Sequence, residues 1–299
     1  MTAVQDPTVQ RRRLRMELRR ARDAAGLRQA DVASAMDWSP SKLIRIERGD
    51  VSVSTNDLRA LLNHYGVKDK GRIHSMLELA KAARGGSFYD QYADLLKPGF
   101  KEYLAYEASA SVIRQYEPIL IPGLVQIEEY GRGLFEGIGR LDPATMDKTW
   151  AVRQYRQEVH DRENPPQMLF VVDEAALRRQ VGRGHVMHRQ LEQLKIFSAE
   201  PHINLQIMPF SRGAHPGMAG SFVLLEFADP SLDDLVHLES INHATVCDDT
   251  ELIARYLDRF LQLEELALSP EESVEFLDVL IDEMPVPADA TTSAEKEAV

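Results

Sequence analysis

The stretch from Gly26 to Gly49 constrains this chain more than any other part of it. An amphipathic run precedes it: between Val9 and Ala25, Leu14, Leu18, Ala21 and Ala25 recur at helical spacing with arginines on the other faces, and Gly26 stops the run. Inside the stretch, Gln29–Met36 predicts a short helix and Asp37–Ser39 a tight connection. Pro40 then opens another helix, because proline's fixed φ and missing N–H suit a first turn. Ser39 is placed as its N-cap, and Gly49-Asp50 ends it. A fourth helix starts at Ser54 or Thr55, turns Leu58, Leu61, Leu62 and Tyr65 inward and stops at Gly66. A fifth, from about Arg72 to Ala83, runs into Gly85-Gly86, the expected linker. The expectation is an all-α five-helix domain over residues 1–84.

With 299 residues the chain has room for roughly two domains of about 100–200 residues each. Its net charge of −12 would argue against a polyanionic partner if it were evenly spread, but the sign changes along the chain. Residues 1–84 hold 17 Lys and Arg against 10 Asp and Glu, whereas the remainder holds 18 against 37. A basic part can sit on phosphates while an acidic part stays off them. No apolar run reaches the roughly 18 residues of a membrane span, and no apolar stretch follows the arginine-rich start as in a secretory leader. The lone Cys247 can form no intrachain disulfide, which fits a reducing compartment. These features predict a cytoplasmic protein with no membrane association.

After the linker the pattern is mixed. Helices are expected at 89–96, 100–114, 125–136, 144–160 and 185–198, and strands at 168–172, 203–208, 220–227 and 235–239. Two closing helices follow at about 250–267 and 270–283, the second opened by Ser269-Pro270-Glu271-Glu272. This predicts a larger α+β regulatory domain over 85–283, with a disordered tail over 284–299.

The segment from Leu27 to Gly49, with Gln29, Val32-Ala33, Met36, Trp38 and the run Ser39-Pro40-Ser41-Lys42-Leu43-Ile44-Arg45-Ile46-Glu47-Arg48, resembles the helix-turn-helix of Xre/Cro-type regulators. The likeness extends over about residues 10–66. It implies that Val32, Ala33, Met36 and Trp38 fill the core and that Ser39–Arg48 is a recognition helix for a double-stranded DNA operator, read by a homodimer. Such a helix needs a polar face to enter a major groove about 12 Å wide. Ser41 and Arg45 share a face at i, i+4, while Leu43 and Ile46 can face inward. Gln29 and Lys42 then lie toward phosphates, and Arg45 is the first choice for reading guanine. The expected DNA contacts are Gln29, Ser39, Pro40, Ser41, Lys42, Ile44, Arg45 and Arg48. Asp37 stands where the family most often has glycine, and Asp visits the left-handed region more readily than most residues. The resemblance also implies an ion pair between Arg22 and Glu47.

Beyond the linker, Tyr103 with Glu107, Tyr116, the run Ile121–Gln126, Arg153 with Arg156-Gln157, Glu174 with Leu177-Arg178, Gln190-Leu191, Gly220 with Phe222, Glu239 and Ala267–Ser273 resemble the C-terminal domain of actinobacterial antitoxin-like regulators. That likeness implies association with a small partner protein encoded nearby, and dimerisation. Two other readings stay open: a regulator with a small-molecule cavity among the strands, and an antitoxin-like protein whose main task is neutralising its partner. No enzyme, cofactor or metal site is expected. His185 and His188 lack a third ligand at recognisable spacing, Gly131, Gly133 and Gly137 miss the dinucleotide fingerprint and read as a helix end and turn, and Cys247 beside His243 reads as structural. Glu239 with Arg153 and Arg156 reads as a buried structural ion pair or a ligand clamp.

Overall fold

The computed structural model describes residues 6–139, 142–182, 185–240 and 243–284, so the tail expected to be disordered lies, except for Met284, outside the described residues. The five N-terminal helices form as the patterning requires: α1 (Pro7–Ala24), α2 (Gln29–Ala35), α3 (Pro40–Arg48), α4 (Thr55–His64) and α5 (Lys70–Ala82). Asp6, Ser54 and Asp69 cap α1, α4 and α5 by accepting the backbone N–H of Thr8, Asp57 and Arg72. The Asp69 cap explains why α5 starts two residues before the expected Arg72. Leu14, Leu18 and Ala21 of α1, Val32, Leu43 and Ile46 of the central pair, and Leu58, Leu61, Leu62 and Tyr65 of α4 join one buried cluster.

Gly85-Gly86, expected as the linker, is followed by chain that folds back onto the same unit. The Ser87 hydroxyl donates to the Asp6 carboxylate at 2.6 Å, and Tyr89 is buried in a 3-10 turn over Phe88–Tyr92, where a longer helix over 89–96 was expected. The compact N-terminal unit runs to Ala93 and also takes in residues 100–110 and 227–233. Within it Arg12, buried to 1%, lies over the rings of Tyr106 and Phe227 at 5.4 and 5.7 Å, and Arg13 meets Asp229 at 2.9 Å. The helix α6 (Pro98–Glu107) carries Tyr103, whose hydroxyl donates to the buried Glu107 one turn on.

The second unit is built on a six-stranded mixed sheet. Its elements in chain order are β1 (Val112–Glu117), α7 (Glu128–Ile138), α8 (Pro143–Gln157), β2 (Gln167–Asp173), α9 (Glu174–Arg178), α10 (Val186–Ser198), β3 (Ile203–Met208), β4 (Phe222–Glu226), β5 (Leu235–Glu239), β6 (Ala244–Cys247), α11 (Thr250–Leu266) and α12 (Pro270–Glu283). The strand order is β3-β2-β1-β4-β5-β6, with β1, β2 and β3 parallel and the remaining pairs antiparallel. Tyr116, Val171, Met208, Phe222 and Val236 pack with Phe260 and Leu263 of α11. The alternating residues Ile113, Phe170, Val172, Leu205 and Ile207 are buried too, so this part of the sheet is covered on both faces and its strands read as continuous apolar runs. The chain is thus an N-terminal helical region followed by an α+β region.

Three local expectations are corrected. A helix over 100–114 gives way to α6 and the central strand β1, because Arg114 finds Glu226 of β4 at 2.7 Å and a polar segment becomes a paired strand. The short edge strand β6 and the five-residue α9 were not expected from the sequence. Gly131 and Gly133 sit inside α7 rather than in a turn: a Cβ on Gly133 would fall 2.5 Å from the Gly182 Cα, and one on Gly131 3.0 Å from the Trp150 ring.

The run Ile121–Gln126 is held by side-chain amides. Gln190, fully buried, donates to the Val125 carbonyl and accepts from the Ile127 N–H, both at 2.8 Å. Gln126 donates to the Ile121 carbonyl at 2.5 Å, and Gln157 to the carbonyls of Gly123 and Gln126 at 3.1 and 2.8 Å. Gln190→Leu fills the same space but orphans two backbone groups, each worth about 1–3 kcal/mol when left buried and unpaired. Urea denaturation is expected to show that loss, whereas Arg189→Ala on the same helix, which removes an exposed pair with Glu129, is expected to cost less than about 1 kcal/mol. Equal stability of the two variants would refute this role for Gln190.

Candidate nucleic-acid interface

Three side chains set the orientation of α3. The Arg22 guanidinium donates to both oxygens of Glu47, at 2.7 and 3.1 Å, and its third arm reaches the Leu27 carbonyl at 2.9 Å. Gln29, at the start of α2, donates its amide to the same Glu47 oxygen at 2.8 Å. The Arg22 and Glu47 side chains are 10% and 4% exposed, so the pair expected from the sequence is largely withdrawn from water. Hydrogen bonding to Glu47 raises the Arg22 pKa above its ordinary value despite burial. Burial first, and then the Glu47 charge, push the neighbouring Tyr65 phenol up as well.

The connection between α2 and α3 closes because Asp37 adopts φ 55°, the one positive φ among the described non-glycine residues. With that twist the Trp38 N–H reaches the Ala33 carbonyl at 2.8 Å. Ser39 occupies the N-cap position of α3 with extended backbone, but its hydroxyl makes no capping bond; it lies 3.1 Å from the Ser41 hydroxyl instead. The other end closes at Gly49, φ 82°, where the N–H groups of Gly49 and Asp50 take up the Ile46 and Arg45 carbonyls. Arg15 of α1 adds a bond to the Arg48 carbonyl at 2.8 Å.

Leu43 and Ile46 are consequently buried, and Ser39, Pro40, Ser41, Arg45 and Arg48 are exposed, with Ile44 half-buried. Ser41, Arg45 and Arg48 follow one another at i, i+4 and i+7 on one side of the helix. The Arg45 and Arg48 side chains have no hydrogen-bond or ion-pair partner among the described residues. Lys42 is different. Its ammonium sits 3.7 Å from the centre of the Trp38 ring and 3.3 Å from the Asp57 carboxylate, a tether from α4 with no local sequence signal. Gln29 likewise has its amide nitrogen committed within the protein.

In the second unit the Glu239 and Arg156 charges both act on the Glu117 carboxylate, which burial pushes up to about 7. Glu239 is 46% exposed, 4.0 Å from Lys97, and so is no buried structural partner for Arg153 or Arg156. Arg153 instead lies over the Phe135 ring at 5.4 Å, and the Arg156 guanidinium lies against Gly123. His188 stands 3.5 Å from Glu192.

A family described as "Domain of unknown function (DUF5753)" matches residues 100–279, more than half the chain. The chain belongs to this family. A second model, described as "Helix-turn-helix domain", matches residues 13–73, from within α1 into α5. The HTH-type transcriptional regulator DdrOP3 of Deinococcus deserti is 34% identical over 116 residues, covering 38% of this chain and 80% of that protein. No solved structure matches the chain. The DUF5753 match begins in α6, so it includes the residues 100–110 and 227–233 that pack in the N-terminal unit.

Removing one partner of a buried, hydrogen-bonded ion pair costs about 3–5 kcal/mol, so Glu47→Ala is expected to unfold the α1–α3 arrangement well before Glu78→Ala, which breaks an exposed pair with Lys81. Matching melting temperatures would count against the clamp. At Asp37 the left-handed backbone makes a different forecast: Asp37→Ala is expected to lose roughly 1 kcal/mol relative to Asp37→Gly, because alanine lacks glycine's freedom at a positive φ. Equilibrium denaturation of the two variants side by side checks the order.

Proposed function

We propose that this helix-turn-helix protein is a sequence-specific regulator of Xre/Cro type that inserts α3 into the major groove of a double-stranded DNA operator. The observation that carries this reading is the exposed stripe Ser41, Arg45, Arg48, with two unengaged guanidinium groups on a helix clamped from behind by Arg22, Gln29 and Glu47. Arg45 reads a guanine through two hydrogen bonds, and Ser39, Pro40, Ser41 and Ile44 line the approach to the bases. Lys42 leaves Asp57 for a phosphate, while Arg48 and the start of α2 at Gln29 lie along the backbone. In this reading residues 1–84 bind DNA, and 85–283 form the regulatory region of a cytoplasmic, non-enzymatic homodimer. The acidic excess of that region keeps it off phosphates and free for a small partner protein.

A bidentate guanine contact contributes about 1–3 kcal/mol of discrimination, whereas a lysine on phosphate contributes affinity without regard to sequence. Arg45→Ala is therefore expected to relax preference at one base pair of each half-site. Lys42→Ala is expected to weaken all sequences alike and to lower the salt slope by about one unit. Site selection from random DNA at several salt concentrations measures both. If Lys42→Ala changed the selected sequence and Arg45→Ala did not, α3 would have to be rotated in the groove; if neither variant altered binding, α3 would not be the reading helix.

A further inference from the structure

The parallel half of the sheet ends at a cavity of about 310 Å³ lined by Tyr116, Pro118, Asp173, Pro209, Phe210, Gly213, His215 and Met218. Its floor is set by the carboxyl ends of β1 and β2 and the residues just after β3, the position where open sheets with parallel strands bind ligands. The volume is at the lower end of what small-molecule sites offer.

The cavity is built rather than incidental. Gly217 seats its loop on Tyr116 so closely that a Cβ there would fall 2.4 Å from the phenol ring. The Phe210 N–H is fixed to the Glu174 carboxylate at 2.8 Å. Tyr116 is fully buried, with its hydroxyl set against the Asp173 carboxylate. Asp173 spends one oxygen on the Ala175 N–H at 2.8 Å and places the other 3.4 Å from Nε2 of His215. Nδ1 of that ring accepts the Gly217 N–H at 3.3 Å. The Asp173 carboxylate is thereby held in one orientation at the cavity wall. Burial, and then the Asp173 charge, keep the Tyr116 phenol protonated above its ordinary range.

The walls are apolar. Phe210 and Met218 are 58% and 72% exposed at the mouth, and Ile119, 54% exposed, follows the lining Pro118. Exposed apolar side chains gathered around a concave site mark a binding surface.

We propose that this cavity binds a small organic cation, an amine on an aromatic or aliphatic body, with the ammonium on Asp173 and the Tyr116 hydroxyl and the body against Phe210 and Met218. An anion would meet the Asp173 carboxylate, and the acidic excess after residue 84 attracts cations at longer range. This site is separate from the DNA-reading proposal and is testable without DNA.

Three probes sharing an indole body separate the contributions: tryptamine, tryptophol and indole-3-propionate, titrated calorimetrically into the full chain. Tryptamine is expected to bind about tenfold more tightly than tryptophol, as a charge-assisted hydrogen bond requires, and indole-3-propionate to bind more weakly than either. Asp173→Asn keeps an acceptor for the Ala175 N–H and is expected to abolish the preference for the amine, whereas Phe210→Ala, at an exposed position, is expected to weaken tryptamine and tryptophol together. Circular dichroism confirms folding, and if Asp173→Asn does not fold, Tyr116→Phe is expected to weaken tryptamine severalfold. Absence of binding by all three probes, equal affinity for them, or an amine preference unchanged in the folded Asp173 and Tyr116 variants would overturn the proposal.

Discussion

Everything the N-terminal region presents to a partner depends on the Arg22–Glu47 pair. Two charges removed from water are costly, and their mutual attraction repays that cost only when the remaining hydrogen-bonding capacity is filled. Here it is filled from two directions: Glu47 also takes the Gln29 amide, and Arg22 also reaches the Leu27 carbonyl. The pair therefore fixes geometry more than it adds net stability. It ties α1, the start of α2 and the end of α3 to one point, and with Leu43 and Ile46 buried beside it the opposite side of α3 must face outward.

That outward side is unevenly committed. Arg45 and Arg48 project without partners among the described residues, whereas Lys42 is stacked on Trp38 and paired with Asp57. An exposed pair of this kind is worth only about 0–1 kcal/mol, so a phosphate can displace the carboxylate at little cost. The contrast separates two unengaged guanidinium groups from an ammonium that already has internal partners.

In the second unit the residues that carry the family likeness do mainly architectural work. Gln190, Gln126 and Gln157 close the hydrogen bonds of an irregular buried turn, and Glu174 joins Arg178 to the loop after β3 through the Phe210 N–H. Buried backbone without regular pairing must find side-chain partners, and a long amide with both donor and acceptor supplies them from a neighbouring helix. The cavity beside Asp173 combines Tyr116 with His215 and Met218.

The sequence by itself determined the helices of the first unit and the apolar strands of the second. Caps, glycine stops and 3.6-residue periodicity act within a few residues, and the strain tolerated at Asp37 is likewise local. It also marked Ser41 and Arg45 as one face, since i, i+4 spacing follows from helix geometry alone. What only tertiary structure decided depends on partners distant in the chain. The polar segment at Arg114 becomes the central strand because Glu226 lies 112 positions away in sequence but 2.7 Å away in space. Gly133 is required by the Gly182 backbone, Lys42 is held by Asp57, and Tyr116, Asp173 and His215 share one cavity because parallel strands end side by side. No local pattern encodes such meetings, because they arise only when packing of the whole unit brings remote segments within contact distance.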